Sequence, residues 1–243
     1  MSTDPSRIRA LDGVRGIAIL AVMLRHFVQG MDLSTPADRL VHAVGRLGSN
    51  GVDLFFVLSG FLITGILLDA KEKPHYYRRF YIRRTLRIFP LYYLALCIAF
   101  WVWPRLFPGP SSLLYAVDAN QPWYWLYASN WLFVKEGTYL GLAHFWSLAI
   151  EEQFYLLWPA VVALVPRERL AAVCAWCFAA SLALRAALAY GGVDVMIVYV
   201  LTPARFDSLA LGAFVAAALR QKGGPERLQR AAAWLGPLSL GTL

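Results

Sequence analysis

Residues 12–30 of the chain read DGVRGIAILAVMLRHFVQG, an apolar stretch that contains both Arg15 and His26. The two residues are eleven positions apart, so at ~100° per residue their side chains leave the same face of a helix. The rise between them along the helix axis is ~16 Å. Because ionisable groups are costly inside a membrane span, they mark functional sites there. This stretch therefore predicts a membrane helix that carries chemistry.

The composition agrees with a membrane protein. Of the 243 residues, 59% are hydrophobic and only 16% are charged, whereas about a quarter are charged in a soluble domain. We predict an all-α, polytopic transmembrane bundle that forms a single membrane-embedded domain over residues 1–243. About six runs have membrane-spanning length, near residues 13–29, 51–68, 89–103, 144–165, 170–190 and 195–219. Pro203 is expected to break the last run.

Lysine and arginine residues concentrate in alternate connections between these runs, most densely in residues 69–88. The positive-inside rule therefore predicts a cytoplasmic N-terminus. The net charge of +8 then needs no nucleic-acid partner to explain it. By parity, residues 104–143 begin and end outside. The stretch WYWLYASNWLFV at 123–134 is accordingly predicted as a re-entrant or interfacial helix, since Trp and Tyr favour the headgroup level.

His26 is the best candidate for a catalytic group. An imidazole titrates near neutral pH and can take a proton from a hydroxyl that attacks an acyl carbonyl. The alternative is a hydrogen bond between helices. Asp53, at the start of the second run, is either a site residue or a carboxylate stabilised by the helix dipole. Ser59 and Gly60 are expected to form a close-packing step between helices, because no base lies at a spacing that would activate Ser59.

Arg83, Arg84 and Arg87 lie together near a cytoplasmic helix end. Arginines at this position either set the topology or clamp an anion, because guanidinium groups pair with phosphate oxygens. A phosphorylated donor such as coenzyme A would need a clamp of this kind.

His144, Ser147 and Glu151 have the spacing of one helical face, and Glu152 follows directly. Carboxylates in a span are expensive and should be paired. One interpretation is a salt bridge to Arg15, Arg25 or Arg205. The other is a functional carboxylate that orients His26 or binds a sugar hydroxyl.

Two further features complete the candidates. Arg205 and Asp207 form a charged pair that we expect to neutralise itself. The cysteines fall in predicted spans and indicate packing, and no metal-ligand spacing, phosphate-binding loop or nucleophile elbow occurs in the sequence.

Five motifs in order resemble the acyltransferase type 3 family of integral membrane O-acyltransferases. They are LDGVRGIAILAVMLRHF (11–27), GVDLFFVLSGFLIT (51–64), RRTLRIFP (83–90), HFWSLAIEEQFYLLWP (144–159) and ARFDSLALGAF (204–214). The resemblance covers roughly residues 7–215. It implies that His26 is the catalytic base, that Arg15 is also required and that Glu151 is a second catalytic residue.

The resemblance also implies the substrates. The donor is an acyl-coenzyme A, by default acetyl-coenzyme A, which approaches from the cytoplasm; no cofactor is bound permanently. The acceptor is a hydroxyl of a cell-envelope polysaccharide, a lipid-linked glycan or a secondary metabolite. The remaining motif residues are expected to bind substrate, namely Asp53, Arg83, Arg84, Arg87, Trp146, Ser147, Glu152 and Arg205. The expected location is a bacterial inner or plasma membrane, with the lipid bilayer as surroundings.

The number of spans differs from that of the family, and one alternative function is left open. Family members usually have about ten spans of membrane-crossing length, so we expect this chain to be truncated. A proton-coupled transporter or permease of a small anionic solute could also use buried Arg, His and Glu. Inverted repeats would favour that rival, and the sequence has none.

Overall fold

The computed structural model describes residues 9–28, 35, 38–39, 48, 50–107, 120–139, 141–230 and 233. The helices are α1 (Arg9–Val28), α2 (Asn50–Ala70), α3 (Tyr76–Cys97), α4 (Trp103–Leu106), α5 (Gln121–Trp125), α6 (Ser129–Glu136), α7 (Phe145–Leu164), α8 (Arg167–Tyr190), α9 (Val195–Val200) and α10 (Thr202–Leu219). A π-helical turn, Ile98–Val102, joins α3 to α4. The described residues contain no strand, which confirms the all-α prediction.

Three helices in the described part of the chain are long and apolar enough to cross a membrane: α2, the continuous helix Tyr76–Leu106, and α8. The predicted count of six spans is not confirmed. The apolar part of α1 is only Gly13–Leu24, and three consecutive polar residues, 151–153, interrupt α7. The last predicted span is divided into α9 and α10 at the extended residue Leu201, next to Pro203 as expected.

The helix that contains the basic stretch begins earlier than predicted. Residues 69–88 were expected to form a loop, but α3 starts at Tyr76 and includes all the arginines from Arg78 to Arg87. Arginine is a good helix former, so the charged residues extend the apolar helix by about three turns. The region after α4 contains α5 and α6, of 5 and 8 residues. Both are too short to cross a membrane, which favours the re-entrant or interfacial interpretation over a full span.

Helices α2 and α10 pack with their backbones in contact. A Cβ atom at Gly60 would overlap the Leu209 carbonyl oxygen and lie 2.8 Å from its carbonyl carbon. On the other helix, a Cβ at Gly212 would overlap the Val57 carbonyl oxygen and lie 2.7 Å from the Phe61 nitrogen. Small residues permit this close approach between membrane helices. Gly60 is thereby confirmed as a close-packing position.

Polar side chains join the shorter elements to this core. The Gln153 amide of α7 donates to Asn130 Oδ1 and to the Tyr127 carbonyl oxygen, both at 2.9 Å, and its oxygen accepts from Thr202 at 2.7 Å. Burial raises the pKa of the Tyr124 phenol, which therefore stays protonated and donates to the Gly141 carbonyl oxygen at 2.7 Å. These bonds fix α5 and α6 against α7 and α10.

Large apolar side chains cover the outside of the bundle. Leu86, Leu91, Leu164 and Trp176 are each more than two thirds exposed. Many large apolar side chains exposed to this degree are unusual on a soluble monomer. Lipid chains would cover them without loss of hydrogen bonds, because the helices satisfy their own backbone groups.

Candidate functional site

A cluster of polar side chains is buried where α2 meets α7. We call Ser59, Glu151, Tyr155 and Arg84 the carboxylate cluster. The Ser59 hydroxyl donates to Glu151 Oε1, and the Tyr155 phenol donates to Ser59 Oγ at 3.2 Å. Ser59, Glu151 and Tyr155 are 4%, 5% and 4% exposed. The Arg84 guanidinium carbon lies 4.4 Å from the centroid of the Tyr155 ring.

Helix geometry explains how the cluster forms. Glu151 and Tyr155 are four residues apart on α7 and therefore share a face. Helix α2 presents Ser59 to both. No base lies at a local spacing from Ser59, but the structure brings the Glu151 carboxylate to it from a helix 92 residues further along the chain. Of the salt bridges considered for Glu151, the one to Arg205 does not form, because Arg205 pairs with Asp53.

Glu152 has different surroundings from Glu151. It is half-buried, and its Oε1 atom is buried without a hydrogen-bond partner among the residues that the structure describes. The positive charge of Arg84 acts on both carboxylates. Arg84 thus lies toward the acidic pair, whereas Arg83 and Arg87 are exposed on α3. Only Arg83 and Arg87 remain together on the exposed face where a clamp for an anion was predicted.

A second cluster joins α2 to α10. We call Asp53, Arg205 and Ser208 the arginine–aspartate cluster. Arg205 Nη2 and the Ser208 hydroxyl both donate to Asp53 Oδ1, the latter at 3.0 Å. The Arg205 side chain is 1% exposed and that of Asp53 is 38% exposed. The pair therefore connects a buried cation to a carboxylate that reaches the surface.

Aromatic rings enclose the Arg205 guanidinium group. Its central carbon lies 4.7 Å from the Tyr199 ring centroid and 5.4 Å from that of Phe56. Trp146 packs edge-on against Phe56 and lies 5.0 Å from Tyr199 between ring centroids. Trp146 is therefore part of the wall around Arg205. Arg205 Nε has no hydrogen-bond partner in the described part of the chain.

The predicted pairing of Arg205 with Asp207 is wrong. Asp207 forms its ion pair with Arg185 of α8, and its backbone N–H donates to Ser181 at 3.0 Å. Side chains two residues apart on a helix point in different directions and do not meet. Each charge therefore pairs with a different neighbouring helix, which ties α10 to α2 on one side and to α8 on the other.

The remaining predicted residues lie apart from these clusters or outside the described residues. The Ser147 hydroxyl donates to the carbonyl oxygen of the exposed His144 at 3.1 Å, at the start of α7. Arg15 is half-buried in α1. His26 belongs to α1, but its side chain lies outside the part of the chain that the structure describes.

The sequence alone did not reveal several residues that the structure brings into the clusters. They are Tyr155, Tyr199 and Ser208. Only Tyr155 had a usable signal, its spacing of four residues from Glu151. Within the described ranges, no group of three His, Cys, Asp or Glu side chains could hold a metal ion.

The sequence matches the family described as "Acyltransferase domain" over residues 8–180. A Bacillus subtilis relative, YrhL, provisionally named a peptidoglycan O-acetyltransferase, is 35% identical over 86% of this chain and 33% of its own length. The peptidoglycan O-acetyltransferase OatA of Listeria monocytogenes is 36% identical over 63% of the chain and 24% of its own length. The O-acetyltransferase OatA of Staphylococcus aureus is 32% identical over 65% and 25%, respectively.

The chain thus spans a third or less of the length of these relatives. No solved structure is significantly similar to it. Members of the matched family are membrane proteins, in agreement with the three apolar helices described above. The match covers most of the chain and includes four of the five motifs in full. The chain therefore belongs to the acyltransferase type 3 family.

Proposed function

We propose that this chain is the membrane-embedded part of an O-acetyltransferase that transfers an acetyl group from acetyl-coenzyme A to a hydroxyl of peptidoglycan. Family membership and the names of the relatives support the reaction and the acceptor. The observation that carries the proposal is the burial of Glu151 in the carboxylate cluster. A buried carboxylate is costly, and a site for proton transfer is a reason to keep one.

The reaction is a transfer from a thioester to an alcohol. The acceptor oxygen attacks the acetyl carbonyl, a C–O bond forms and the C–S bond breaks. In our proposal His26 takes the proton from the attacking hydroxyl and passes it to the departing thiolate, which leaves as the thiol of coenzyme A. Glu151 either orients His26 or binds the acceptor hydroxyl. Both roles need a carboxylate held in one position, as the Ser59 hydrogen bond provides.

The two ends of the bundle suit the two substrates. Arg83 and Arg87 are exposed, four residues apart on α3, and their guanidinium groups suit the phosphates of the donor. With the N-terminus in the cytoplasm, α3 begins on the cytoplasmic side, and Arg83 and Arg87 lie about two to three turns into it. Asp53 and Arg205 lie at the starts of α2 and α10, at the opposite end, where a partly exposed carboxylate can accept hydrogen bonds from sugar hydroxyls. We assign the acceptor to this end, with Trp146 in its wall and Arg15 on the neighbouring α1.

Two matched variants test the proposal. Glu151→Gln and Glu152→Gln change adjacent residues and remove one charge each with little change in volume. The full-length protein, purified into lipid nanodiscs, is given acetyl-coenzyme A and soluble peptidoglycan fragments. Release of the coenzyme A thiol and acetylation of the fragments, measured by mass spectrometry, report transfer. We expect Glu151→Gln to lower kcat by ~10²–10⁴-fold, as for loss of a group in proton transfer, and Glu152→Gln to keep most activity.

Other results would contradict parts of the proposal. If the wild-type protein transfers no acetyl group, the proposed reaction is wrong. A wild-type protein that instead moves a small anion across proteoliposomes without acetylation would support the transporter. If transfer occurs but Glu152→Gln loses as much activity as Glu151→Gln, the wrong carboxylate has been assigned to the site.

A further inference from the structure

The hydrogen bonds of the carboxylate cluster run in one direction. A serine hydroxyl has a single hydrogen, and Ser59 gives it to Glu151 Oε1. The Ser59 oxygen accepts in turn from the Tyr155 phenol. The two hydrogen bonds therefore form a series that runs from Tyr155 through Ser59 and ends on the Glu151 carboxylate. Each hydroxyl donates its hydrogen toward that carboxylate. A carboxylate that accepts a hydrogen bond in this way is held in one orientation.

We infer that Ser59 and Tyr155 are positioning residues that hold Glu151 in its reactive orientation. The inference rests on the proposed function of Glu151. It assigns to the GVDLFFVLSGFLIT motif a role in the chemistry in addition to helix packing, because Ser59 hydrogen-bonds to α7 whereas the adjacent Gly60 packs against α10.

The surroundings of Ser59 argue against a role as nucleophile. Ser59 is 4% exposed, and the next residue, Gly60, already touches the Leu209 backbone. With this burial, the Ser59 oxygen has little access for an acyl donor. Ser59 is therefore placed to orient the carboxylate, not to carry the acyl group.

Arg84 supports the same arrangement from the other side. Its guanidinium group covers the Tyr155 ring, and its charge acts on Glu151 and Glu152. A cation over an aromatic ring is favourable. The carboxylate cluster thus contains one cation, one carboxylate and two hydroxyls.

The alternative explanation is that these hydrogen bonds only join α2 to α7, and the chain offers a matched control for it. Thr64 lies on the same helix as Ser59 and is fully buried. Its hydroxyl oxygen accepts from Trp158 Nε1 of α7 at 2.7 Å. Thr64→Val therefore removes another buried α2–α7 hydrogen bond without touching Glu151. A structural role predicts that Ser59→Ala and Thr64→Val behave alike.

The experiment compares kcat, KM for acetyl-coenzyme A and thermal stability in nanodiscs. We expect Ser59→Ala to lower kcat by about 10- to 100-fold, the range for a hydrogen bond to a charged group, with KM unchanged. Tyr155→Phe, which removes a bond between two neutral hydroxyls, should lower kcat by about 2- to 10-fold. Ser59→Thr, which keeps the hydroxyl, should recover much of the activity. Thr64→Val should lower stability but keep kcat within about threefold, less than the loss of one such bond. Ser59→Ala added to Glu151→Gln should cause no further loss, because the two residues act as a unit.

Three results would overturn the inference while the proposed function stands. The first is a wild-type kcat in both Ser59→Ala and Tyr155→Phe while Glu151→Gln is inactive. The second is an equal kcat loss in Ser59→Ala and Thr64→Val. The third is an acetyl group on Ser59 in peptides from protein quenched during turnover. Absence of transfer by the wild-type protein would instead refute the proposed function, and the inference with it.

Discussion

Replacement of Gly212 by alanine tests the contact on which the site geometry depends. The added methyl group would overlap the Val57 carbonyl oxygen and lie 2.7 Å from the Phe61 nitrogen. Both atoms belong to the backbone of α2, so neither can rotate away as a side chain could. Helices α2 and α10 would have to separate by ~1.5 Å to restore ordinary contact, because a packed interior has no spare volume.

The size of the effect follows from two opposing terms. Overpacking costs ~3 kcal/mol at the upper end of its usual range, and alanine regains ~1 kcal/mol over glycine within a helix. The net loss in the free energy of unfolding is ~2 kcal/mol. For a protein of this size, ~2 kcal/mol lowers Tm by roughly 4–8 °C. Separation of the helices would also stretch the bonds from Arg205 and Ser208 to Asp53, so acetyl transfer should fall as well.

Thermal unfolding of the purified protein in nanodiscs measures the change. The matched control is Gly16→Ala in α1, where an added Cβ would meet no atom within 4 Å. That variant should melt at or slightly above the wild-type temperature, because the higher helix propensity of alanine is then the only change. A Gly212→Ala protein as stable as Gly16→Ala would show that α2 and α10 are not in backbone contact. The argument that this contact aligns Asp53 with Arg205 would then also be wrong.

Two other predictions concern single side chains. His26→Ala should lower acetyl transfer by ~10²–10⁴-fold at equal membrane levels, whereas the exposed His144→Ala should keep it; near-normal transfer by His26→Ala would remove His26 from the mechanism. Asp53→Asn should lower the free energy of unfolding by ~3 kcal/mol, because the buried Arg205 loses its charged partner. The control is Asp69→Asn, which changes a more exposed pair with Arg220 and should lower the free energy of unfolding by less than ~1 kcal/mol. Equal losses, measured by thermal unfolding, would show that burial does not distinguish the two pairs.

The sequence was sufficient for the helical class and for most helix positions. The apolar runs of α2 and α8 could be predicted because a helix in a membrane must satisfy its backbone hydrogen bonds internally and must be long enough to cross the bilayer. The break at Pro203 was readable because proline lacks the backbone donor that a continuous helix needs. The start of α3 was missed, since charge was read as a sign of a loop although arginine is compatible with a helix.

The partners of the buried charges were decided by the tertiary structure. Sequence spacing relates residues within one helix. It grouped Glu151 with His144 and Ser147, it paired Arg205 with Asp207, and it offered no base for Ser59. Contacts between helices depend on which faces meet and at what height, and these follow from close packing such as that of Gly60 and Gly212. A carboxylate 92 residues away therefore reaches Ser59 only because the packed helices set that register, which no local pattern in the sequence encodes.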